Sequence, residues 1–218
     1  MNILLAGQKY FGAAVFRALK DIEGVNIAAV SVPIEPEKID RLYGLADLYH
    51  VPIIKAGTLN AATMPDDIDL IVAAHSYDFI GEKTRLRAKY GGIGYHPSLL
   101  PLHRGRDAIR WAVRMRERVT GGTVYRLSNK MDGGNIIMQK HVFIKPGDND
   151  RTLWERDLAP LGVDLLVESV CMFRDVGFIN GIEQDETVAT WEPSIDRPPA
   201  FRPDLIMLPR ESIYKDVW

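Results

Sequence analysis

The first half of the chain alternates short apolar runs with segments whose apolar residues recur at helical spacing. The run IDLIVAA, residues 68–74, is of the continuous apolar kind that is typical of a strand buried on both faces. We predict strands at residues 1–6, 25–32, 51–54 and 68–74, and helices at residues 12–20 and 37–49. This alternation predicts an α/β fold with a parallel, doubly wound sheet.

The second half of the chain predicts an antiparallel addition, so the sheet is expected to be mixed. Residues 122–127 and 136–144 have strand character and are joined across Asp132-Gly133-Gly134, which is a hairpin signal. Helices are predicted at residues 107–118 and 150–176, the second capped by Asp150 or Thr152. Four prolines follow Trp191 in EPSIDRPPAFRPD. We therefore predict one domain over residues 1–190 and an extended, Pro-rich C-terminal tail over residues 191–218.

Charge and composition exclude several classes of protein. The net charge of −2 produces no global field that favours nucleic acid or an anionic membrane. The segment MNILLAGQ lacks the basic start of a signal peptide, no apolar run reaches the roughly 18 residues of a membrane span, and Cys171 is the one cysteine. We therefore expect a cytoplasmic protein. The five histidines show no ligand spacing, so no metal is expected.

The stretch GGIGYHPSLLPLHRG, residues 91–105, contains the strongest candidate for chemistry. His96 follows a short strand and precedes a loop with two prolines, which biases its backbone away from helix. Open α/β sheets bind ligands at the carboxyl ends of their strands. His96 is therefore either a structural turn residue or a catalytic one.

Two further polar positions follow predicted strands or turns. Asp132 precedes two glycines, and either the turn alone explains it or it directs a carboxylate toward His96. A carboxylate beside an imidazole orients the ring and favours its charged form. His75 and Ser76 follow the strand at residues 68–74, where they are either structural or part of the same cleft.

Arginines recur every four residues after the central loop, at Arg106, Arg110, Arg114 and Arg118. Such a stripe is typical of a solvated helix face. Because the stripe begins beside the loop that carries His96, Arg104 and Arg106 are also candidates to bind an anionic arm of a substrate.

The chain resembles the folate-dependent formyltransferase family. The matching segments are AGQKYFG, IVAAHSYDFI, GGIGYHPSLLPLHRG, GGTVYRL and MDGGNIIMQ, in that order. Within the family the likeness is closest to the amino-terminal formyl-hydrolase domain of 10-formyltetrahydrofolate dehydrogenase. Methionyl-tRNA formyltransferase and the sugar N-formyltransferases are the next relatives.

The resemblance implies a Rossmann-like formyltransferase fold and 10-formyltetrahydrofolate as the formyl donor. His96 and Asp132 match the family's catalytic histidine and aspartate. The pterin of the folate is expected to lie between two loops, whose residues are Tyr77, Asp78, Phe79 and Ile80 on one side and Leu127, Asn129, Met131 and Asp132 on the other.

One catalytic position departs from the family pattern. The transferases carry an asparagine two residues before the histidine, whose amide helps to bind the formyl oxygen, and here that position is Gly94. We expect Gly94 to leave a gap that faces His96, with an ordered water or the His75 side chain within hydrogen-bond reach of the gap.

The resemblance implies formyl transfer to a small molecule, with a primary amine as the favoured acceptor. Hydrolysis that releases formate is the alternative, and a folate-binding protein without catalysis is a further one. Transfer to tRNA is not expected, because the chain shows no basic surface beyond the arginine stripe.

Overall fold

The computed structural model describes residues 1–195, which form one seven-stranded mixed sheet with helices on both faces. The strand order is β3-β2-β1-β4-β5-β6-β7, and all neighbours are parallel except the pairs β5–β6 and β6–β7. The strands are β1 (Asn2–Gly7), β2 (Asn26–Val32), β3 (Ile53–Lys55), β4 (Leu70–Ala74), β5 (Gly92–His96), β6 (Val119–Arg126) and β7 (Ile136–Phe143). The predicted fold class, a Rossmann-like and doubly wound mixed sheet, is confirmed.

Four of the α-helices lie between strands, and two follow β7. The α-helices are α1 (Lys9–Lys20), α2 (Arg41–Leu48), α3 (Glu82–Arg85), α4 (Ala108–Arg114), α5 (Asp150–Leu153) and α6 (Ala159–Val176), with one π-helical turn, Trp154–Leu158, between α5 and α6. Two apolar layers result. One packs α1, α2 and α6 against the sheet through residues such as Phe16, Leu42 and Phe173. The other covers the opposite face and includes Ile71 and Ile80.

Two predicted helix boundaries and one predicted N-cap are wrong for local reasons, and α1 begins at Lys9, three residues before its predicted start. The helix expected at residues 37–49 begins only at Arg41, because the Asp40 carboxylate accepts from the backbone N–H of Leu42 and caps it. The long second helix is capped by Asn149, not by Asp150 or Thr152, although the Thr152 side chain completes the capping box. Helix α4 ends at Arg114, so the arginine stripe does not continue on the helix to Arg118.

The first residues of the predicted tail pack against the domain. Trp191 forms a bridge to Arg104, and the indole of Trp111 donates a hydrogen bond to the carbonyl of Pro193 over 2.8 Å. Residues 196–218 of the predicted tail lie outside the described residues. In the described part of the chain, no helix is both long and apolar enough to cross a membrane.

Tyr95 fixes the distance between the sheet and helix α6. Its hydroxyl donates a hydrogen bond to the carbonyl of Leu158 over 2.7 Å. Its ring lies where a side chain on Gly122 or Gly162 would stand, since a Cβ atom at residue 162 would come within 2.5 Å of the ring. Close packing of sheet and helix therefore requires glycine at both positions.

We expect Gly162→Ala to destabilise the protein although alanine favours helix. Overpacking costs about 1–3 kcal/mol, against a gain of about 1 kcal/mol in helix propensity. Gly44→Ala in α2 is the matched control, because its nearest neighbour would lie 3.9 Å away, and it should stabilise the protein. Urea denaturation measures both. Equal, stabilising effects of the two substitutions would contradict this account of the Tyr95 contact.

Candidate active site

His96 and Asp132 meet at the carboxyl end of the parallel strands. His96 is the last residue of β5, and Asp132 lies in the turn between β6 and β7. The His96 Nδ1 atom lies 3.6 Å from the Oδ2 atom of Asp132, and both side chains are largely buried. The structure therefore brings together the two residues that were predicted as the catalytic pair.

The other nitrogen of His96 is held by the loop that follows it. Its Nε2 atom lies 2.7 Å from the carbonyl oxygen of His103. A carbonyl only accepts hydrogen bonds, so Nε2 carries a hydrogen and Nδ1 is the nitrogen that faces Asp132. Nδ1 is then an acceptor in the neutral ring and a donor in the imidazolium.

The carboxylate of Asp132 has two further donors. Its Oδ2 atom accepts from the backbone N–H of Gly105 over 2.7 Å, and its Oδ1 atom accepts from the hydroxyl of Tyr125 over 2.6 Å. Asp132 itself is in the left-handed region, with φ of 49°. Sequence reasoning missed Tyr125; the signal was its place in the strand GGTVYRL, which pairs with the strand of His96.

The gap expected at Gly94 is absent, and that prediction is wrong. A Cβ atom at residue 94 would lie 3.1 Å from the Leu127 side chain and 3.5 Å from the ring of Tyr125. Gly94 lines the cleft, but apolar atoms of these two residues occupy the space beside it. The water or His75 side chain expected near this position stays a prediction.

A cleft of about 650 Å³ surrounds the pair. On one side lie Phe11, Ile109 and Trp154, and the rings of Phe11 and Trp154 are 5.3 Å apart. On the other side lie the loop after β4 and the loop after β6, which carry Ile80 and Leu127. Phe11 and Trp154 pack with the α6 layer, whereas Ile80 and Leu127 pack with the opposite layer. The cleft therefore crosses the edge of the sheet, with His96 and Asp132 between its two arms.

The loop after β4 presents apolar side chains to the cleft. Tyr77, Asp78, Phe79 and Ile80 all line it, and Phe79 is 81% exposed. The loop is anchored by the Asp78 carboxylate, which accepts from the Ser31 hydroxyl and from the backbone N–H of Gly57, each over 2.6 Å. Asp78 is thus placed in the cleft wall, with its carboxylate oxygens already engaged.

The loop after β6 contributes some of its predicted residues and not others. Leu127, Met131 and Asp132 line the cleft, whereas Asn129 does not. The Asn129 amide instead bridges Arg85 and Glu82, and Arg85 also donates to the carbonyl of Ile80. Arg85 therefore ties together the two loops on this side of the cleft.

His75 and Ser76 also line the cleft, as the alternative interpretation of them required. His75 has a positive φ of 62° and keeps part of its ring exposed. Desolvation and then the positive charge of Lys9 lower the pKa of His75, which favours the neutral imidazole. In residues 1–195, no group of three or more His, Cys, Asp or Glu side chains is arranged to hold a metal ion.

Arg104 does not face an anionic substrate, and that prediction is wrong. Its guanidinium is 6% exposed and donates to Gln184 and to the carboxylate of Glu186. A buried guanidinium needs such partners, and the chain around residue 185 supplies them. Arg106 is exposed beside the cleft loop and stays a candidate.

Residues 182–195 form a strap across the two loops that hold His96 and Asp132. The Gln184 amide donates to the carbonyls of Asp132 and Gly134, each over 2.7 Å. Thr190 accepts from the backbone N–H of His103 through its hydroxyl and from that of Arg104 through its carbonyl. The strap therefore holds the His96 loop and the Asp132 turn in one position.

His103 joins the strap to the segment between α4 and β6 by two ion pairs. Its Nε2 and Nδ1 atoms lie 2.8 Å from Glu117 and 3.0 Å from Glu192. Desolvation lowers the pKa of this buried imidazole, but the two carboxylates outweigh it and raise the pKa to about 9. His103 is therefore charged at neutral pH, and its carbonyl is the one that holds His96.

The fold and the site define an α/β protein with a histidine–aspartate pair at the centre of a two-armed cleft. A model described as "Formyl transferase" matches residues 58–170, more than half of the chain. The chain therefore belongs to the formyl transferase family, and the resemblance noted in the sequence is confirmed.

Among similar proteins, cytosolic 10-formyltetrahydrofolate dehydrogenase of Xenopus laevis is 31% identical over 88% of this chain. The chain spans only 22% of that protein's length. Methionyl-tRNA formyltransferase of Thermotoga neapolitana is 29% identical over 92% of the chain and 67% of the relative. An N-formyltransferase of Helicobacter canadensis, solved with folinic acid and dTDP-3-aminofucose, has a TM-score of 0.70 at 20% identity, over 87% of this chain and 69% of that one.

We expect the stability of the protein to fall as pH rises through the pKa of His103. A folded-state pKa near 9 against 6.5 contributes stability that is complete below about pH 6.5 and lost by about pH 9. The loss is on the order of 3 kcal/mol. Urea denaturation at a series of pH values should show this decline in the wild type and a flatter profile in His103→Gln. His141→Gln, an exposed histidine on β7, is the control and should keep the wild-type slope.

Proposed function

We propose that this protein transfers the formyl group of 10-formyltetrahydrofolate to a primary amine on a small molecule. The observation that supports transfer is the two-armed cleft. A hydrolase needs only one arm, which holds the folate and one water molecule. This cleft extends from His96 and Asp132 to both faces of the sheet. Two substrates can enter such a cleft from opposite sides and meet at the pair.

The arm between the loops after β4 and β6 suits the pterin. Phe79 and Met131 are exposed apolar side chains at its mouth, and Ile80 and Leu127 form its floor. A flat heterocycle gains from apolar and aromatic walls with few polar groups between them. The chain's residues in this arm therefore fit 10-formyltetrahydrofolate as the donor substrate.

The other arm, at Phe11, Ile109 and Trp154, suits the acceptor. Its walls are apolar and aromatic, which favours an acceptor with a hydrophobic or ring-containing body next to its amine. In the described residues, Lys130 is the one lysine or arginine that lines the cleft. A polyanion such as tRNA needs more cationic contacts than this, which favours a small molecule.

The chemistry assigned to the pair follows from its contacts. The amine nitrogen attacks the formyl carbon, and the carbonyl electrons move to oxygen. Nδ1 of charged His96 donates to that oxyanion, while Asp132 takes the proton from the amine. Collapse re-forms the carbonyl, breaks the bond to the folate nitrogen and returns the proton to that nitrogen.

Hydrolysis is the second candidate, because Gly94 replaces the family asparagine and the hydrolase domain that the sequence resembles also lacks asparagine there, with an aliphatic residue instead. Binding without catalysis is the third. Incubation with 10-formyltetrahydrofolate alone, and then with a panel of primary amines that includes amino-sugar nucleotides, separates them. Tetrahydrofolate formed only with an amine supports transfer, and formate released without one supports hydrolysis. Tight binding of folinic acid without formation of either product supports the third candidate, a folate-binding protein without catalysis. We place the reaction in the cytoplasm, as the sequence predicts.

We expect His96→Ala and Asp132→Asn each to reduce kcat by at least about 10²-fold while the protein stays folded, because each removes a group that acts on the reacting atoms. Tetrahydrofolate formation gives the rate, and circular dichroism reports the fold. Folded variants with rates near that of the wild type would refute the assignment of this pair.

We expect Phe79→Ala to raise the KM for 10-formyltetrahydrofolate about 3–10-fold with little change in kcat. Loss of one aromatic contact is worth about 0.5–1.5 kcal/mol. Phe143→Ala is the matched control, because Phe143 is also exposed but lies on β7 outside the cleft lining. An unchanged KM in Phe79→Ala would contradict the placement of the pterin in this arm.

A further inference from the structure

Tyr125 is the least expected member of the site. It pairs directly with Gly94 across β5 and β6, and its ring lies against the side-chain position of residue 94. Residues that pair directly in an antiparallel ladder project to the same side of the sheet. Residues 94 and 96 also share a side because side chains alternate along a strand. The Tyr125 ring therefore lies on the His96 side of β5, and it lines the cleft.

The hydroxyl of Tyr125 remains a hydrogen-bond donor in this environment. Burial raises the pKa of Tyr125 well above its ordinary value, and the charge of Asp132 adds to this effect. The phenol is thus neutral at physiological pH. Its single hydrogen is given to Asp132 Oδ1 over 2.6 Å, and rotation about the bond between ring and oxygen changes the direction in which this hydrogen points.

We propose that the Tyr125 hydroxyl is a catalytic donor to the formyl oxygen and acts together with His96. This inference rests on the proposed function. The pair alone provides one side-chain donor to the oxyanion, Nδ1 of His96, whereas preorganised sites of acyl transfer stabilise the oxyanion with several donors. Tyr125 donates to Asp132, and its ring lies 3.5 Å from where a Cβ atom at residue 94 would stand.

One proton moves during the reaction, from the amine to Asp132 and then to the folate nitrogen, while Tyr125 only changes its hydrogen-bond partner. Before attack, Tyr125 donates to the Asp132 carboxylate. As the amine adds to the formyl carbon, its proton passes to Asp132, which becomes a neutral acid and a weaker acceptor. The Asp132 acid then donates to the phenol oxygen, and the phenol hydrogen turns to the oxyanion. Collapse of the intermediate reverses both hydrogen bonds and sends the Asp132 proton to the folate nitrogen.

The same geometry explains why residue 94 is glycine. A larger side chain at this position would have to fit between the Tyr125 ring and Leu127, where a single carbon atom already comes within 3.1 Å of Leu127. An amide side chain at residue 94 and a tyrosine at residue 125 would compete for one volume. Gly94 and Tyr125 therefore act as a matched pair.

The test is Tyr125→Phe, which keeps the ring and removes only the hydroxyl. We expect kcat for formyl release to fall about 10²–10³-fold, with the Kd for folinic acid within about threefold of the wild type. Tyr90→Phe is the control, because Tyr90 packs on Phe173 away from the cleft, and it should keep the wild-type rate. A kcat within about threefold of the wild type in Tyr125→Phe overturns the proposal. A fall in kcat that accompanies loss of folinic acid binding overturns it as well, because it assigns Tyr125 a structural role.

A second comparison separates donation to the oxyanion from mere support of Asp132. Tyr125→Ala vacates the volume of the ring, and adding Gly94→Asn places an amide donor in it. We expect the double variant to be at least about tenfold faster than Tyr125→Ala. Equal rates for the two overturn the donor role. Wild-type protein that releases no formyl group, alone or with any amine, rejects the proposed function itself. A wild type that turns over beside an equally active Tyr125→Phe rejects only the role of Tyr125.

Discussion

The carboxylate of Asp132 is the point on which the site depends. It joins two parts of the chain, because it accepts from Gly105 on the loop after β5 and from Tyr125, seven residues before it on β6, while facing His96. A buried carboxylate is stable only with such donors, since desolvation of an unpaired charge is costly. The hydrogen bonds that stabilise the buried Asp132 carboxylate thus also orient it toward His96.

The surroundings of the pair are held by polar contacts more than by apolar packing. His103, Asp107 and Asp132 all adopt positive φ, a conformation that costs free energy in residues other than glycine. The strap at residues 182–195 compensates through the bonds of Gln184 and Thr190 and the ion pair of Glu192. The strap is a connecting segment without a helix or a long strand, and its contacts set the geometry of the His96 loop and the Asp132 turn.

The position of the cleft follows from the sheet. Strand order changes direction between β1 and β4, and the loops after β4 and β5 both lie at the carboxyl edge beside this point. Crevices of open α/β sheets form at such places. β6 runs antiparallel to β5 and ends beside Ile93, away from His96. The loop that follows β6 folds back, so that Asp132 accepts from the Tyr125 hydroxyl and faces His96.

Much was determined by the sequence alone. Periodicity predicted the strands and most helices, and the segments around His96 and Asp132 identified the family and the pair, because short-range patterns and motif residues are readable without coordinates. Tertiary structure decided the rest. Arg104 turned inward to Gln184 and Glu186, Asn129 became a bridge between loops, and the space at Gly94 was filled by Leu127 and Tyr125. Each of these outcomes depends on which side chain from a distant segment occupies a shared volume or satisfies a buried charge. No local pattern in the chain encodes that.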